Sequence, residues 1–150
     1  MNSKFFIVVL ATAIIVASWA FFATNGSYQD ALQSKFYYQI GNYQKAYELA
    51  HKAYEKDIYN KMANTVMKQS EIALKYTKYI EEANSYLEQI LNMSKAKEIG
   101  KADTNRIRIM CEIVIDGYDR LKPSTLTPKD IQDEAKDMRD KFVKLKEELF

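Results

Sequence analysis

The hydrophobic pattern divides the chain into one unbroken apolar run followed by segments with helical spacing. Residues 5–23 read FFIVVLATAIIVASWAFFA without a charged side chain, a run of about 19 residues that is long enough to cross a bilayer core as a helix. Asn25-Gly26-Ser27 then breaks the pattern, with Ser27 expected as the N-cap of a helix over about 28–40. Gly41 supplies the positive φ that ends this helix, and a partner helix is expected over about 43–57. Further on, Met62, Val66, Gln69, Ala73, Tyr76, Ile80, Ala83, Leu87 and Ile90 alternate steps of four and three without a slip. No Gly or Pro interrupts them. This spacing predicts one seam on a single helix over about 61–93, with a helix-turn-helix broken near Lys75 as the alternative.

Gly100 is the expected stop after a polar stretch, and Asp103 or Thr104 the expected cap of the next helix. Its apolar stripe is Ile107, Met110, Cys111, Val114, Tyr118 and Leu121, widened by Ile109, Ile113 and Ile115. Arg108, Glu112, Asp116 and Arg120, four apart, are expected to form a solvated ladder of ion pairs. Pro123 ends the helix. Thr127-Pro128-Lys129-Asp130 then reads as an N-cap, a first-turn proline and a first-turn acid. Ile131, Ala135, Met138, Phe142, Leu145 and Leu149 give a second seam to the end of the chain.

Composition supports an all-α fold. The 150 residues include only four Gly and two Pro, with 47% hydrophobic and 28% charged residues. The formal net charge of +2, with signs interspersed, leaves no electrostatic footprint for nucleic acid. Cys111 is the only cysteine, so neither an internal disulfide nor a cysteine-based metal site is expected, and it reads as a small buried apolar residue.

The division expected is residues 1–24 as an N-terminal transmembrane anchor or uncleaved signal sequence and residues 25–150 as an exported all-α domain. Lys4 precedes the apolar run, and no Lys or Arg follows it until Lys35. The N-terminus is therefore expected in the cytoplasm and the rest in a bacterial periplasm. Ser18-Trp19-Ala20 also has small residues at signal-peptidase spacing, so cleavage after Ala20 is the alternative.

The stretch YYQIGNYQKAYELAHKAYEKDIYN around Gly41 resembles a tetratricopeptide repeat (TPR), a helix-turn-helix unit of about 34 residues. With Ser27 as the first position, Tyr37 falls on the family's aromatic position and Gly41 in its turn. Tyr43 opens the second helix, Ala46 and Ala53 match its two small positions, and Asn60 closes the unit. Asp30 and Gln33 stand where the family has Trp and a Leu-like residue, Ser34 replaces Gly or Ala, Ala50 replaces an aromatic, and Ile58 replaces Pro. The resemblance implies a TPR-like helical hairpin, here followed by a long helix and two further helices.

No catalytic constellation is legible. His51 is the only histidine, and it lies near no nucleophile in sequence. The acidic groups at Glu81-Glu82 and at Asp130, Asp133, Glu134 and Asp137 read as solvated helix faces. No phosphate loop, dinucleotide fingerprint, zinc spacing or haem motif is present; the expectation is a non-enzyme with no cofactor and no metal. Tyrosines crowd residues 28–59, either as interface residues or as half-buried rim. In the TPR family the first helix of each repeat lines the binding groove, which places Tyr28, Ala31, Lys35, Tyr38 and Gln39 at lining positions and implies Tyr28, Lys35, Tyr38 and Gln39 as partner-binding residues. Tyr47 and Tyr54 join them as candidate interface tyrosines. The expected function is a membrane-anchored periplasmic scaffold or adaptor for other proteins, by analogy in an envelope assembly such as a flagellar motor or secretion machine. A secreted helical protein binding a peptide or small apolar ligand is the alternative. The heptad seams are also candidate oligomerisation surfaces.

Overall fold

The computed structural model describes residues 3–95, 100–122 and 124–150, and it is all-helical, with no strand among the described residues. Among the described residues six helices follow one another: α1 Ser3–Thr24, α2 Gly26–Gln39, α3 Tyr43–Lys56, α4 Lys61–Ser94, α5 Lys101–Asp119 and α6 Lys129–Leu149. The fold divides into two compact units, residues 1–71 and residues 72–150. α4 is continuous across the division, so the unbroken helix is found and the break near Lys75 is not.

Unit 1 contains α1, α2, α3 and the first turns of α4. Lys4–Phe21 within α1 is long and apolar enough to cross a membrane, and its side chains are exposed. Asn25 alone separates α1 from α2. Its backbone is extended, at φ −85° and ψ 97°, and its side chain accepts from the amides of Ser27 and Tyr28. Asn25 is therefore the N-cap, in place of Ser27 as expected from sequence. Ser27 is the second residue of the helix, where it is buried and its hydroxyl is used elsewhere.

α2 and α3 pack against each other across the turn at Gly41, whose φ of 79° is left-handed and costs glycine nothing. Their interface is built from small residues. Ala31, Ala46, Ala50, Ala53 and Ala63 are fully buried, so the backbones of α2, α3 and α4 approach closely. Met62 reaches both resulting clusters, Ala31 with Ala53 and Ala63 on one side, Ala46 with Ala50 and Val66 on the other.

Three helix ends meet on one polar network. Ser27 Oγ donates to the carbonyl of Ala53 at 2.8 Å and accepts from Asn60 Nδ2 at 2.9 Å. Asn60 Oδ1 in turn accepts from the amide of Ala63 at 3.1 Å, capping α4. Next to it, Asp30 is held by Lys56 at 2.6 Å and Lys52 at 3.5 Å. Burial pushes the Asp30 carboxyl up, but the hydrogen bond and charge of Lys56, helped by Lys52, outweigh it and leave the group below its ordinary value.

Unit 2 contains the rest of α4 with α5 and α6. The expected seams are buried at Ala73, Tyr76, Ile80, Ala83 and Ile90, at Ile107, Met110, Cys111 and Val114, and at Ile131, Ala135, Met138 and Phe142. Ile109 and Ile113, expected to widen the α5 stripe, are exposed instead.

Local details differ from the expectation. α5 begins at Lys101 behind Gly100, and Asp103 and Thr104 lie in its first turn; Thr104 Oγ1 donates back to the carbonyl of Gly100 at 3.1 Å. α6 begins at Lys129 with Pro128 at the cap position. Thr127 is buried with its hydroxyl unpaired, and Gln132 Nε2 holds the turn by donating to the carbonyls of Ser124 and Thr127. The ladder of ion pairs along α5 is replaced by contacts to α6: Glu112 pairs with Lys146 at 3.0 Å, and the Arg108 guanidinium lies 5.2 Å from the centre of the Phe150 ring. Pro123 lies outside the described residues.

Candidate protein-binding groove

In unit 1, a groove of about 440 Å³ runs between α2 and the first two turns of α4, lined by Lys35, Tyr38 and Gln39 on one side and Lys61, Met62, Thr65, Val66 and Gln69 on the other. α2 buries Ser27, Ala31 and Ser34 along one face. Lys35, Tyr38 and Gln39 follow on the edge of that face, toward α4. Val66 is buried and Met62 half-buried, which makes the floor apolar.

The groove's polar groups sit above that floor. Lys35, Gln39, Lys61 and Thr65 are exposed, Gln69 is half-buried, and the lining includes no carboxylate. Tyr38 is half-buried, with its ring edge-on to buried Tyr43 at 5.4 Å and 63°. The buried Tyr43 ring thereby restrains the plane of the Tyr38 ring. Two amides can each donate to and accept from a peptide backbone, and two ammonium groups favour a carboxylate. The volume lies within the usual range for ligand sites, about 300–1,000 Å³. The arrangement suits an extended or helical segment that inserts one apolar side chain beside an acidic one.

The candidate residues from sequence separate into two groups. Lys35, Tyr38 and Gln39 come together in the groove. Tyr28 sits against Phe21 of α1, ring centres 5.9 Å apart. Tyr54 packs on the cluster of Ala31, Ala53 and Ala63, and Tyr47 lies beside His51 at 5.9 Å. Neither belongs to the groove lining. Of the seven tyrosines between 28 and 59, Tyr43 is buried, Tyr59 is exposed and the other five are half-buried. The α4 side of the groove was not singled out, because Met62, Val66 and Gln69 read as a core seam.

Elsewhere the reactive side chains are held in structural roles. His51 is exposed and pairs with Glu55 at 3.6 Å. Cys111 is buried, which pushes its thiol above the ordinary value even though Lys146 pulls the other way. Among the described residues no group of three or more His, Cys, Asp or Glu is placed to hold a metal ion. Compared with protein-family models, with curated proteins and with solved structures, the chain matches none.

Proposed function

We propose that this protein is a non-enzymatic scaffold or adaptor, anchored by α1 in a bacterial inner membrane, whose groove between α2 and α4 holds a segment of another protein on the periplasmic side. The observation that carries this reading is the groove itself. Three residues implied as partner-binding by the TPR resemblance, Lys35, Tyr38 and Gln39, form one wall of it. In the TPR family the first helices of successive repeats line the groove, and the groove here lies between α2 and the start of α4.

The anchor reading draws on α1, with Lys4 in its first turn ahead of the apolar run and no cation after it until Lys35. An envelope assembly such as a flagellar motor or a secretion machine is the setting such an adaptor fits. Its partner would present an apolar residue next to an acidic one, to match Val66 and Met62 below and Lys35 and Lys61 above.

The test is crosslinking from Gln39 in cells, with a photoreactive residue at that position in the full chain. One protein should be captured, and the capture should fall sharply with Lys35→Glu or Tyr38→Ala. Capture of nothing above controls, or capture indifferent to both substitutions, refutes the reading. The rival, a secreted binder of a peptide or small apolar ligand, predicts cleavage after Ala20. A cavity of about 480 Å³ in unit 2, floored by Ile72, Tyr76 and Leu121, favours that rival. Intact mass of the mature protein separates the two readings.

A further inference from the structure

The turn between α3 and α4 carries Ile58 and Tyr59 at its tip, 58% and 84% exposed, where polar turn formers are the rule. Its position relative to α1 follows from hydrogen bonds. Ser27 Oγ joins the carbonyl of Ala53 and the side chain of Asn60, so the start of α2, the end of α3 and the start of α4 meet at one end of unit 1. α1 leaves from that same end, since it stops at Thr24 and only Asn25 intervenes before α2. The side chains of residues 4–21 are exposed, which means that this part of α1 does not fold back over the hairpin. The turn and the exit of the apolar helix therefore share one end of the unit.

We propose that Ile58 and Tyr59 dip into the interfacial layer of the bilayer that α1 crosses, as a second attachment that fixes how unit 1 stands on the membrane. The proposal rests on the reading of α1 as an anchor. With the apolar run ending at Ala23, Asn25 and the network around Ser27 fall at the edge of the hydrocarbon, and the interfacial layer is about 5–8 Å thick on each side. Tyrosine favours that layer, because its ring is apolar and its hydroxyl stays wet. Lys61 follows the tip and is exposed, with a stem that covers apolar surface while its ammonium group stays in water; the Lys56 ammonium is engaged by Asp30. The one carboxylate at the turn, Asp57, is turned to the backbone, where Oδ1 accepts from the amide of Tyr59 at 2.9 Å. Among the surfaces available at this end of the unit, the bilayer is the one that the chain itself brings there.

Fluorescence quenching by brominated lipid tests the proposal on the full chain. The protein is placed in nanodiscs of phosphatidylcholine and phosphatidylglycerol with acyl chains brominated near the headgroup. Trp19, the only tryptophan, reports on α1 in the wild type. Trp19→Phe/Tyr59→Trp moves the reporter to the turn, and Trp19→Phe/Ile58→Trp repeats the measurement at the neighbouring position should the first variant lose its helical content. Bromination should lower the emission of the wild type and of the turn variants alike, as expected for aromatic rings at headgroup level. Quenching in the wild type alone overturns the proposal and leaves the anchor standing. Absence of quenching in both removes the anchor and the proposal with it. A turn reporter shielded from aqueous iodide yet untouched by bromine puts a protein surface over the turn, and that also overturns the proposal.

Discussion

Asn60 and Ser27, 33 residues apart, share a buried hydrogen bond of 2.9 Å that ties the start of α4 to the start of α2. Asn60 is 1% exposed and uses both ends of its amide, one to Ser27 and one to cap α4. Asn60→Ala removes the cap and leaves the Ala63 amide and Ser27 hydroxyl short of a partner. We expect a loss of about 2 kcal/mol. Asn60→Asp, which keeps the cap but not the donor to Ser27, should lose less. Denaturant unfolding of the full chain in detergent, followed by circular dichroism, measures both; equal losses would place the effect outside the donor.

Close backbone approach in unit 1 depends on the size of its alanines. Ala50 is fully buried against Ala46 and Val66, with no space for added carbons. Ala50→Leu should destabilise by about 2–3 kcal/mol through overpacking, while Ala50→Gly, which leaves the spacing intact, should cost about 1 kcal/mol. The same unfolding measurement ranks the two, and the reverse order would show that α3 has room to shift.

Asp30 gives unit 1 a dependence on acid. Its folded-state value is lowered, because Lys56 and Lys52 outweigh burial. A depressed carboxylate stabilises the fold above its unfolded value, about pH 4, and that stability is lost as pH falls through the folded-state value. Asp30→Asn should therefore cost about 1 kcal/mol at neutral pH, a modest figure since both lysines are substantially exposed and screened by solvent. The variant and wild type should converge once the pH has fallen below the folded-state value. A constant difference across the acid range would mean that the carboxylate's charge contributes nothing.

Tyr79 produces the opposite limb. Its hydroxyl is buried without a partner, and burial pushes its pKa up to about 12. Stability tied to the neutral phenol is complete below about pH 10, the unfolded value, and is lost as pH rises through the folded-state value. Tyr79→Phe should remove that alkaline loss. It should also stabilise the fold at neutral pH by about 1 kcal/mol, since no unpaired hydroxyl is then buried. Thermal melts at neutral and alkaline pH check this, and a destabilised variant would show that the hydroxyl does have a partner.

How much of this was legible in the sequence depended on whether the cause was local. The α4 helix could be read from the steps Met62, Val66, Gln69, Ala73, Tyr76 and from the lack of any breaker, both properties of the segment itself. Gly41 was legible for the same reason. The caps were placed within a few residues, but Ser27 and Thr127 were misjudged, because each side chain faces the interior of its unit. The α5 ladder failed through tertiary contact: Glu112 pairs with Lys146 on α6, at a spacing that no single helix encodes. Half of the groove was visible, Lys35, Tyr38 and Gln39, and half was hidden. Val66 serves as floor and core together, and a periodic pattern reports only the core.

The single residue between α1 and α2 leaves no slack. A disordered tether would let unit 1 sample a volume and would decouple its orientation from the helix that holds it. Asn25, with its backbone extended and its side chain bonded to the amides of Ser27 and Tyr28, instead sets the direction in which α2 leaves α1, and with it the place of Tyr38 one helix length away.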